Sequence, residues 1–406
     1  METFGSEERL IPGSMSDIPA TGRTKMATGI SRKGVVFSLL AGIVVLAGIA
    51  LFQLKPARPV EIGFVAGLSG KFADLGIDCR RGVEIAVSRT NRTGGIHGHP
   101  VRLIALDDAQ DEGKAREAIQ TLLARRLPAI IGHSTSNMTM ATLPLVNASS
   151  TLLVSPTTST PLLKDIDDNL VRSCAISTDA ANLMVRYLRE KKQVSSVGII
   201  YDLANRAYTE MWYKAFRESF LKRGGRLVEP LTFTSGTDMK MLPLVEQMRQ
   251  KPIDTLVIVA NSVDAAMLCQ QVRKSGWQIP LALADWAATE QLINLGGNAV
   301  EGAVISQFFN RKSTAPAFLE FKREFETAYK SEPGFGALHA YNAAMMVIRS
   351  LAEQHQDETL KQTILRISKF PGLQDDIVIN RFGDSNHPTY MGIIENGTFR
   401  IFEEYR

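Results

Sequence analysis

Twenty consecutive residues near the N-terminus of this 406-residue chain carry no charged side chain. The segment begins at Val35 and ends at Leu54, with Arg32 and Lys33 before it and Lys55 after it. At a helical rise of about 1.5 Å per residue it extends about 30 Å, which matches the hydrocarbon core of a bilayer. The sequence therefore predicts one transmembrane helix, which places the rest of the protein beside a membrane.

The basic residues around this segment set its predicted orientation, because Lys and Arg near a membrane span stay on the cytoplasmic side. More of them precede the segment than come after it at Lys55 and Arg58. We therefore predict a single-pass protein of the inner (cytoplasmic) membrane whose C-terminal part lies in the periplasm. A cleaved signal peptide is the alternative, although Gly48-Ile-Ala50 is a poor cleavage site, and translation from Met26 would give a shorter leader.

Length and composition indicate the character of the segments before and after the predicted transmembrane helix, which would act as a signal anchor. Residues 1–34 are polar and lack periodicity, which indicates a disordered cytoplasmic tail, and 55–59 form a linker. The remainder is long enough for two lobes, and its basic and acidic residues nearly balance, so no nucleic-acid partner is indicated. The cysteines are odd in number and far apart, which favours buried apolar residues over a disulfide framework. They are Cys79, Cys174 and Cys269.

Short β-branched runs alternate with helical stretches along most of the chain, which is typical of parallel sheets built from strand–helix–strand units. One series of predicted strands covers 60–65, 101–106, 129–131 and 151–154. A second series covers 197–201, 226–232, 255–259 and 279–283. From residue 376 onward the pattern changes to short antiparallel strands joined by glycine turns. The fold class is therefore α/β, with two doubly wound, Rossmann-like lobes.

The carboxyl ends of the predicted strands carry many hydroxyl side chains. Ligands of open α/β sheets bind there, where helix N-termini expose unpaired backbone N–H groups. Hydroxyls can bind a carboxylate or a carbonyl, and Asp285 of the second lobe can face an ammonium group. Capping and turn formation is the alternative for the Ser and Thr residues. The candidates are Ser134, Thr135, Ser136, Thr157, Thr158, Ser159, Tyr208, Asn261, Asp285 and Trp286.

The motifs of enzymes are incomplete in this sequence. The run from Gly132 to Ser136 misses the final glycine of the Gly-x-Ser-x-Gly turn, so a serine hydrolase is only a remote alternative. His97 and His99 lie in a turn without neighbouring carboxylate or thiol ligands, which disfavours a metal site. No phosphate-binding glycine motif of the nucleotide-binding types occurs. We therefore expect a protein without enzymatic activity, metal or cofactor.

Several motifs in order along the chain resemble those of one family. They are Gly67-Leu-Ser-Gly70 with Gly76, Asn91-Arg-Thr-Gly-Gly-Ile-His-Gly98, Asp107-Asp108, Ile131-Gly-His133, Ser155-Pro156, Phe370-Pro-Gly-Leu-Gln374 and Asn380-Arg-Phe-Gly-Asp384. From residue 60 to 402 the chain resembles the type I periplasmic solute-binding proteins of the leucine/isoleucine/valine-binding class.

The resemblance implies two lobes joined by a three-crossover hinge, which close on a small ligand and deliver it to an ABC permease. Lobe 1 would comprise 60–175 and about 307–355, and lobe 2 would comprise 176–306 and about 368–406. A ligand-sensing receptor is the alternative to delivery. An α-amino acid is the first expectation for the ligand, and a short amide, a urea-like compound or a small carboxylate is the alternative.

The resemblance also implies roles for individual residues. Ser136 and Ser159 would hold the α-carboxylate, with Thr157 and Thr158 beside them. Asp285 would hold the α-ammonium group. Two further positions match a tyrosine of the cleft and an aromatic residue that covers the side-chain pocket; they are Tyr208 and Leu75.

The chain departs from the family's pattern at four places that bear on the ligand. Gln110 and Thr135 stand where leucine-type binders have a disulfide pair, so that covalent link is absent. Leu75 replaces a large aromatic residue, two extra residues precede Tyr208, and Asp285 lacks the usual Gly-Pro before it and Gly after it. Trp286 and Phe335 are candidates for apolar walls, with ordinary core packing as the alternative.

Overall fold

The computed structural model describes residues 57–70, 73–236 and 240–405. The predicted cytoplasmic tail and the predicted span over 35–54 lie outside these residues. Within the described part of the chain, no helix is both long and apolar enough to cross a bilayer.

The first sheet contains five parallel strands in the order β2-β1-β3-β4-β5. Helices connect its strands because parallel neighbours need a crossover of this kind. Its core strands are buried on both faces, as their continuous apolar sequences require. The elements are β1 (Val60–Ala66), α1 (Ala73–Arg92), β2 (Val101–Asp107), α2 (Glu112–Ala124), β3 (Ala129–Gly132), α3 (Ser136–Asn147), β4 (Leu152–Ser155) and β5 (Leu170–Arg172).

The elements of a second sheet come next along the chain. They are α4 (Ser177–Arg186) with a π-helical turn (Tyr187–Lys191), β6 (Ser196–Asp202), α5 (Arg206–Lys222), β7 (Arg226–Leu227), β8 (Leu231–Phe233), α6 (Met241–Arg249), β9 (Thr255–Val259), α7 (Ser262–Lys274), β10 (Leu281–Leu283), α8 (Glu290–Gly296) and β11 (Val304–Gln307). Strands β6, β7, β8, β9, β10 and β11 pair in parallel.

The C-terminal part of the chain contributes to both sheets. Its elements are α9 (Pro316–Tyr329), α10 (Phe335–Glu353), α11 (Leu360–Ile367), β12 (Lys369–Phe370), β13 (Ile377–Ile379), β14 (Ser385–Asn386), β15 (Thr389–Glu395) and β16 (Thr398–Tyr405). Helix α10 packs against α1, β3 and β4, whereas β15 pairs antiparallel with β11 and with β16. Strands β12, β13 and β14 form a small antiparallel sheet.

The chain therefore passes between the two sheets three times: after β5, after β11 and between β12 and β15. We call the first sheet with α1, α2, α3, α9, α10 and α11 lobe 1. The second sheet with α4, α5, α6, α7 and α8 is called lobe 2.

Most predicted strands are present, and the antiparallel tail is confirmed as a hairpin on the edge of the second sheet. One predicted strand, 226–232, is divided into β7 and β8. Pro230 stands in the gap, and a proline cannot donate a hydrogen bond to a strand ladder. The three cysteines are free and buried, as expected for small apolar residues.

Candidate functional site

A small cavity lies between the carboxyl ends of the two sheets. Its free volume is about 20 Å³, which is room for roughly one water molecule. The lobes are therefore closed, and any larger ligand requires them to separate or the lining side chains to move. The lining residues are Leu75, Ser134, Thr135, Ser136, Thr157, Ser159, Asn205, Tyr208, Asp285, Trp286, Phe308 and Phe335.

Two loops of lobe 1, after β3 and after β4, supply the hydroxyl groups of this cavity. They are hydrogen-bonded to each other, since Thr157 Oγ1 donates to the carbonyl oxygen of Ser134 at 2.9 Å. Behind them, the hydroxyl of Thr158 lies 2.6 Å from that of Thr139 and accepts a bond from Ser155 Oγ at 2.7 Å. This network fixes the positions of both loops.

The hydroxyls of Ser136 and Ser159 are free to bind a ligand. Neither has a hydrogen-bond partner among the residues that the structure describes, although both residues are buried. Ser136 is also the first residue of α3, and the N-cap residue Thr135 makes no capping bond with its side chain. Because a helix N-terminus carries positive partial charge, this end of the cavity suits an anionic group.

Gln110 connects the two hydroxyl residues that precede α3. Thr135 Oγ1 donates to Gln110 Oε1 at 2.7 Å, and Gln110 Nε2 lies 3.4 Å from Ser134 Oγ. Gln110 and Thr135 are the positions where the family resemblance places a disulfide pair. A hydrogen bond thus joins the two segments in place of a covalent link.

The loop after β3 contributes His133 to a fully buried Asp–His–Thr arrangement, in which Asp108 follows β2 and Thr142 belongs to α3. His133 Nδ1 lies 2.6 Å from Asp108 Oδ2, and His133 Nε2 lies 3.0 Å from Thr142 Oγ1. All three side chains are inaccessible to solvent and none lines the cavity. A substrate cannot reach this hydroxyl in the closed molecule, so the arrangement supports the loop. It gives no support to the hydrolase alternative.

Lobe 2 places one carboxyl group, that of Asp285, at the opposite side of the cavity. Trp212 Nε1 donates to Asp285 Oδ1 at 3.2 Å, and the Tyr208 hydroxyl is also hydrogen-bonded to this carboxyl. Burial raises the pKa of Asp285 to about 7, because the donors around it only partly replace lost hydration. Burial and the neighbouring Asp285 together raise the pKa of Tyr208 well above its ordinary value.

Four apolar side chains complete the lining. Leu75 and Phe335 come from lobe 1, Trp286 comes from lobe 2, and Phe308 lies on the crossover after β11. The ring of Trp286 packs edge-on against Tyr208, with 5.8 Å between ring centroids. The cavity therefore has an apolar wall between a hydroxyl side and an acidic side.

Two of the predicted site residues do not line the cavity. The hydroxyl of Thr158 is turned into the network behind the loops. Asn261 is the N-cap of α7, where its side chain accepts from Asp264 N at 3.0 Å and donates to Asp264 Oδ2 at 2.6 Å. Local hydrogen bonds already use both groups in this arrangement, and a ligand contact of Thr158 or Asn261 stays a prediction.

Two lining residues, Asn205 and Phe308, were missed from the sequence. Asn205 lies after β6 and is the N-cap of α5, so the same rule about strand carboxyl ends selects it. Phe308 lies directly after β11, a short strand that the sequence pattern did not reveal. Among the described residues, no group of three or more His, Cys, Asp or Glu side chains is arranged to hold a metal.

Comparisons with known proteins agree with this architecture. A family model described as periplasmic binding protein matches residues 59–393. The Leu/Ile/Val-binding protein of Escherichia coli K12 is 23% identical over 271 residues, which are 66% of this chain and 72% of that protein.

Two solved structures share the fold. One is the branched-chain amino acid transporter substrate binding protein of Streptococcus pneumoniae in complex with isoleucine, with a TM-score of 0.78 and 22% identity over 86% of this chain and 99% of that chain. The other is an ABC transporter solute binding protein of R. palustris with benzoate, with a TM-score of 0.78 and 16% identity over 85% and 96%. At these identities the likeness shows the fold alone.

Proposed function

The chain belongs to the periplasmic binding protein family, and we propose that it captures a small polar ligand, an amino acid, between its two lobes for an ABC-type transporter. One observation carries this proposal: the same small cavity has free hydroxyls and a helix N-terminus on lobe 1 and a buried carboxyl on lobe 2. A zwitterion has complementary groups for both sides. The relatives named for branched-chain amino acids support the same ligand class.

The proposed mode of binding assigns one lobe to each end of the ligand. The carboxylate would bind Ser136, Ser159 and the N-terminus of α3, and the ammonium group would bind Asp285. Such a ligand bridges the lobes and stabilises their closed arrangement by contacts that the open arrangement lacks. A ligand with the wrong polar groups leaves a buried polar group of the protein unpaired. This lowers the binding free energy by more than the loss of one methylene from an apolar contact.

We further propose that the segment from Val35 to Leu54 anchors the protein in the inner membrane, with both lobes in the periplasm. Anchoring would keep the binding protein beside its permease. Delivery is preferred to sensing because the named relatives are transporter proteins. A small carboxylate remains the alternative ligand, since benzoate occupies the R. palustris protein. When the carboxyl of Asp285 is ionised, its negative charge disfavours an anionic ligand.

The first experiment is a thermal-shift screen of the full-length protein against amino acids, short amides and small carboxylates. A ligand that binds the folded state raises its midpoint of unfolding by mass action. We expect one or more zwitterionic amino acids to raise it, and isothermal calorimetry would then give the affinity. If only amides or carboxylates raise the midpoint, the ligand class proposed here is wrong.

Two variants test the assigned ends of the ligand. Asp285→Ala should abolish binding of a zwitterion while the protein stays folded, and Ser136→Ala should weaken binding of its carboxylate. The matched control is Ser149→Ala, because Ser149 lies at the end of α3 and its hydroxyl bonds only to the backbone of its own lobe. Unchanged affinity in Asp285→Ala, measured by calorimetry, would refute the assignment of the ammonium site.

A further inference from the structure

A carboxylate of lobe 1 is hydrogen-bonded to two hydroxyls of lobe 2 beside the cavity. Asp74 lies in the first turn of α1, next to the lining residue Leu75. Its Oδ2 accepts from Ser262 Oγ at 2.6 Å and from Thr289 Oγ1 at 2.8 Å. Ser262 begins α7 and Thr289 precedes α8. We call this group the Asp74 clasp; none of its three members lines the cavity.

A second bridge joins the start of α3 to the start of α5. The backbone N–H of Asn137 donates to Asn205 Oδ1 at 3.1 Å, and the backbone N–H of Ala207 donates to Asn137 Oδ1 at 3.2 Å. Each asparagine thus receives a bond from the opposite lobe. Asn205 also lines the cavity, whereas Asn137 does not. We call this pair the asparagine clasp.

The two hydroxyls of the Asp74 clasp bond across the cleft to lobe 1, although backbone groups of their own helices were available as partners. Thr289 is the N-cap of α8, yet its side chain makes no capping bond. The N-terminus of α7 is capped by Asn261, which leaves the adjacent Ser262 hydroxyl for Asp74. A cap residue ordinarily bonds the backbone of its own helix, so this arrangement favours closure over local helix stability.

From these contacts we propose that the Asp74 clasp, none of whose members lines the cavity, sets the affinity of this protein for its ligands without contacting them, and that the asparagine clasp assists closure. The inference rests on the proposed function, since it assumes that ligand is bound between closing lobes. Hydrogen bonds to a charged acceptor are stronger than hydrogen bonds between neutral groups. The Asp74 clasp therefore contributes more to closure than the asparagine clasp. Both clasps join lobe 1 directly to lobe 2, so they contribute to closure through bonds of the protein itself.

Clasp residues and cavity residues should change the affinity in quantitatively different ways. When a ligand is held only between closed lobes whose lining side chains have moved to admit it, the apparent affinity is the intrinsic affinity scaled by the closed fraction. Loss of the clasp lowers that fraction and therefore weakens all ligands by the same factor. A change inside the cavity weakens each ligand by a different factor, because it alters their individual contacts.

The experiment compares Asp74→Ala with Asp111→Ala in the full-length protein. Asp111 is a matched control, because it is also an acid at a helix N-terminus, but it accepts only from its own helix, at Lys114 N. Affinities for L-leucine and L-isoleucine are measured by calorimetry. Separation of the lobes is measured without ligand, by energy transfer between dyes on cysteines introduced at two exposed positions. These are Lys222 in lobe 2 and Lys330 in lobe 1.

We expect Asp74→Ala to separate the dyes in the ligand-free protein and to weaken both amino acids by the same factor, about ten- to a hundredfold. Ser262→Ala should act in the same direction. Combined with Asp74→Ala it should add little, because both changes remove the same hydrogen bond. Asp111→Ala should lower stability and leave dye separation and affinity unchanged.

Two results would overturn the proposal. One is an unchanged dye separation in Asp74→Ala, and the other is a loss of affinity that differs between leucine and isoleucine, which would place Asp74 in contact with the ligand. If the wild-type protein binds neither amino acid, the proposed ligand class fails, but the dye separation of the ligand-free variants still decides the role of the clasp.

Discussion

At the scale of single residues, Asp285 has the most consequential environment in the cavity. It is buried, and its pKa is raised to about 7 because the hydrogen bonds from Tyr208 and Trp212 do not offset the loss of water. The carboxyl is therefore partly protonated at neutral pH in this arrangement. An ammonium group would favour the ionised form, so binding and proton release are coupled.

We predict that the affinity for a zwitterionic ligand rises with pH up to about 7 and levels off above it. Below the folded-state pKa of Asp285, each bound ligand must displace a proton, so affinity falls by up to about tenfold per pH unit. Calorimetry between pH 5 and 8 in buffers of different ionisation enthalpy measures both affinity and proton release. In Asp285→Asn the affinity should be lower and this pH dependence should vanish.

The sequence identified the loops of the site, but it did not identify which side chains within those loops face the cavity. A rule about strand carboxyl ends selects loops, and it selected the loops that contain Ser136, Ser159 and Asp285. It does not give the direction of each side chain within a loop. The hydroxyl of Thr158 is turned away from the cavity because Ser155 and Thr139 bind it there.

At the scale of elements, the close approach of α1 and α10 shapes lobe 1. A β-carbon added at Gly82 of α1 would lie 2.1 Å from the backbone oxygen of Ala337 in α10. Likewise, a β-carbon at Gly76 would lie 1.9 Å from the backbone oxygen of Gly67. Both contacts are with backbone atoms, which cannot rotate away, so glycine is required at these positions for packing.

We predict that Gly82→Ala lowers the free energy of unfolding by about 1–3 kcal/mol or more, because α1 and α10 must move apart. The control is Gly113→Ala in the exposed first turn of α2, where the nearest atom to an added β-carbon is the Asp111 carboxylate at 3.1 Å. Alanine there should be neutral or stabilise by up to about 1 kcal/mol. Urea denaturation measures both, and equal stability of Gly82→Ala and wild type would contradict the close approach of these helices.

Strand prediction succeeded for the long apolar runs, and the strands that it missed are short. Strands β1, β6 and β9 are five to seven residues and buried almost throughout. Strands β5 and β11, with three and four residues, were not predicted. Their strand conformation depends on neighbours that are distant in sequence, since β5 pairs with β4 and β11 pairs with β10 and β15.

At the scale of the whole molecule, two histidines lie where the three crossovers meet. His339 of α10 bonds through Nδ1 to the carbonyl oxygen of Ser173, on the first crossover, at 3.0 Å. The ring of His387, on the third crossover, lies 5.5 Å from that of His339. Burial lowers the pKa of His339 to about 4, and burial together with His339 lowers that of His387 to about 3. Both rings are therefore neutral in this arrangement.

Other groups around these rings tie the crossovers together. Arg172, the last residue of β5, donates through Nε to Asp384, on the third crossover, at 2.9 Å. The buried thiol of Cys174 lies on the first crossover, and Ser385 Oγ on the third donates to its backbone oxygen at 3.0 Å. The carbonyl oxygens of Ser173 and Phe308 favour protonation of His339, but the cost of burying the charged ring outweighs them.

We predict that acid lowers the stability of the folded protein through His339 and His387. The unfolded state binds protons at an ordinary histidine pKa near 6.5, while the folded state resists them, so the free energy of unfolding is largest above that value. It should fall as pH drops from about 6.5 toward 4, by up to about 1.4 kcal/mol per unit for each histidine. Chemical denaturation at several pH values measures this slope.

The variant His339→Asn keeps a donor for Ser173 and should flatten the slope. The same change at His355, which is exposed on the surface, serves as the control and should leave the slope as it is in the wild-type protein. A slope that is equally steep in His339→Asn would show that the pair at the crossovers does not cause the acid sensitivity.

The sequence by itself determined the α/β class, the order of most strands, the apolar segment near the N-terminus and the loops that surround the cavity. These features arise from local periodicity and from the rule that parallel strands present their carboxyl ends to ligands. Only the tertiary structure decided which side chains within those loops face the cavity, how Asp285 is dehydrated, and that Asp74 meets Ser262 and Thr289. Such contacts join residues nearly two hundred or more positions apart, and no local pattern in a chain encodes a distance of that kind.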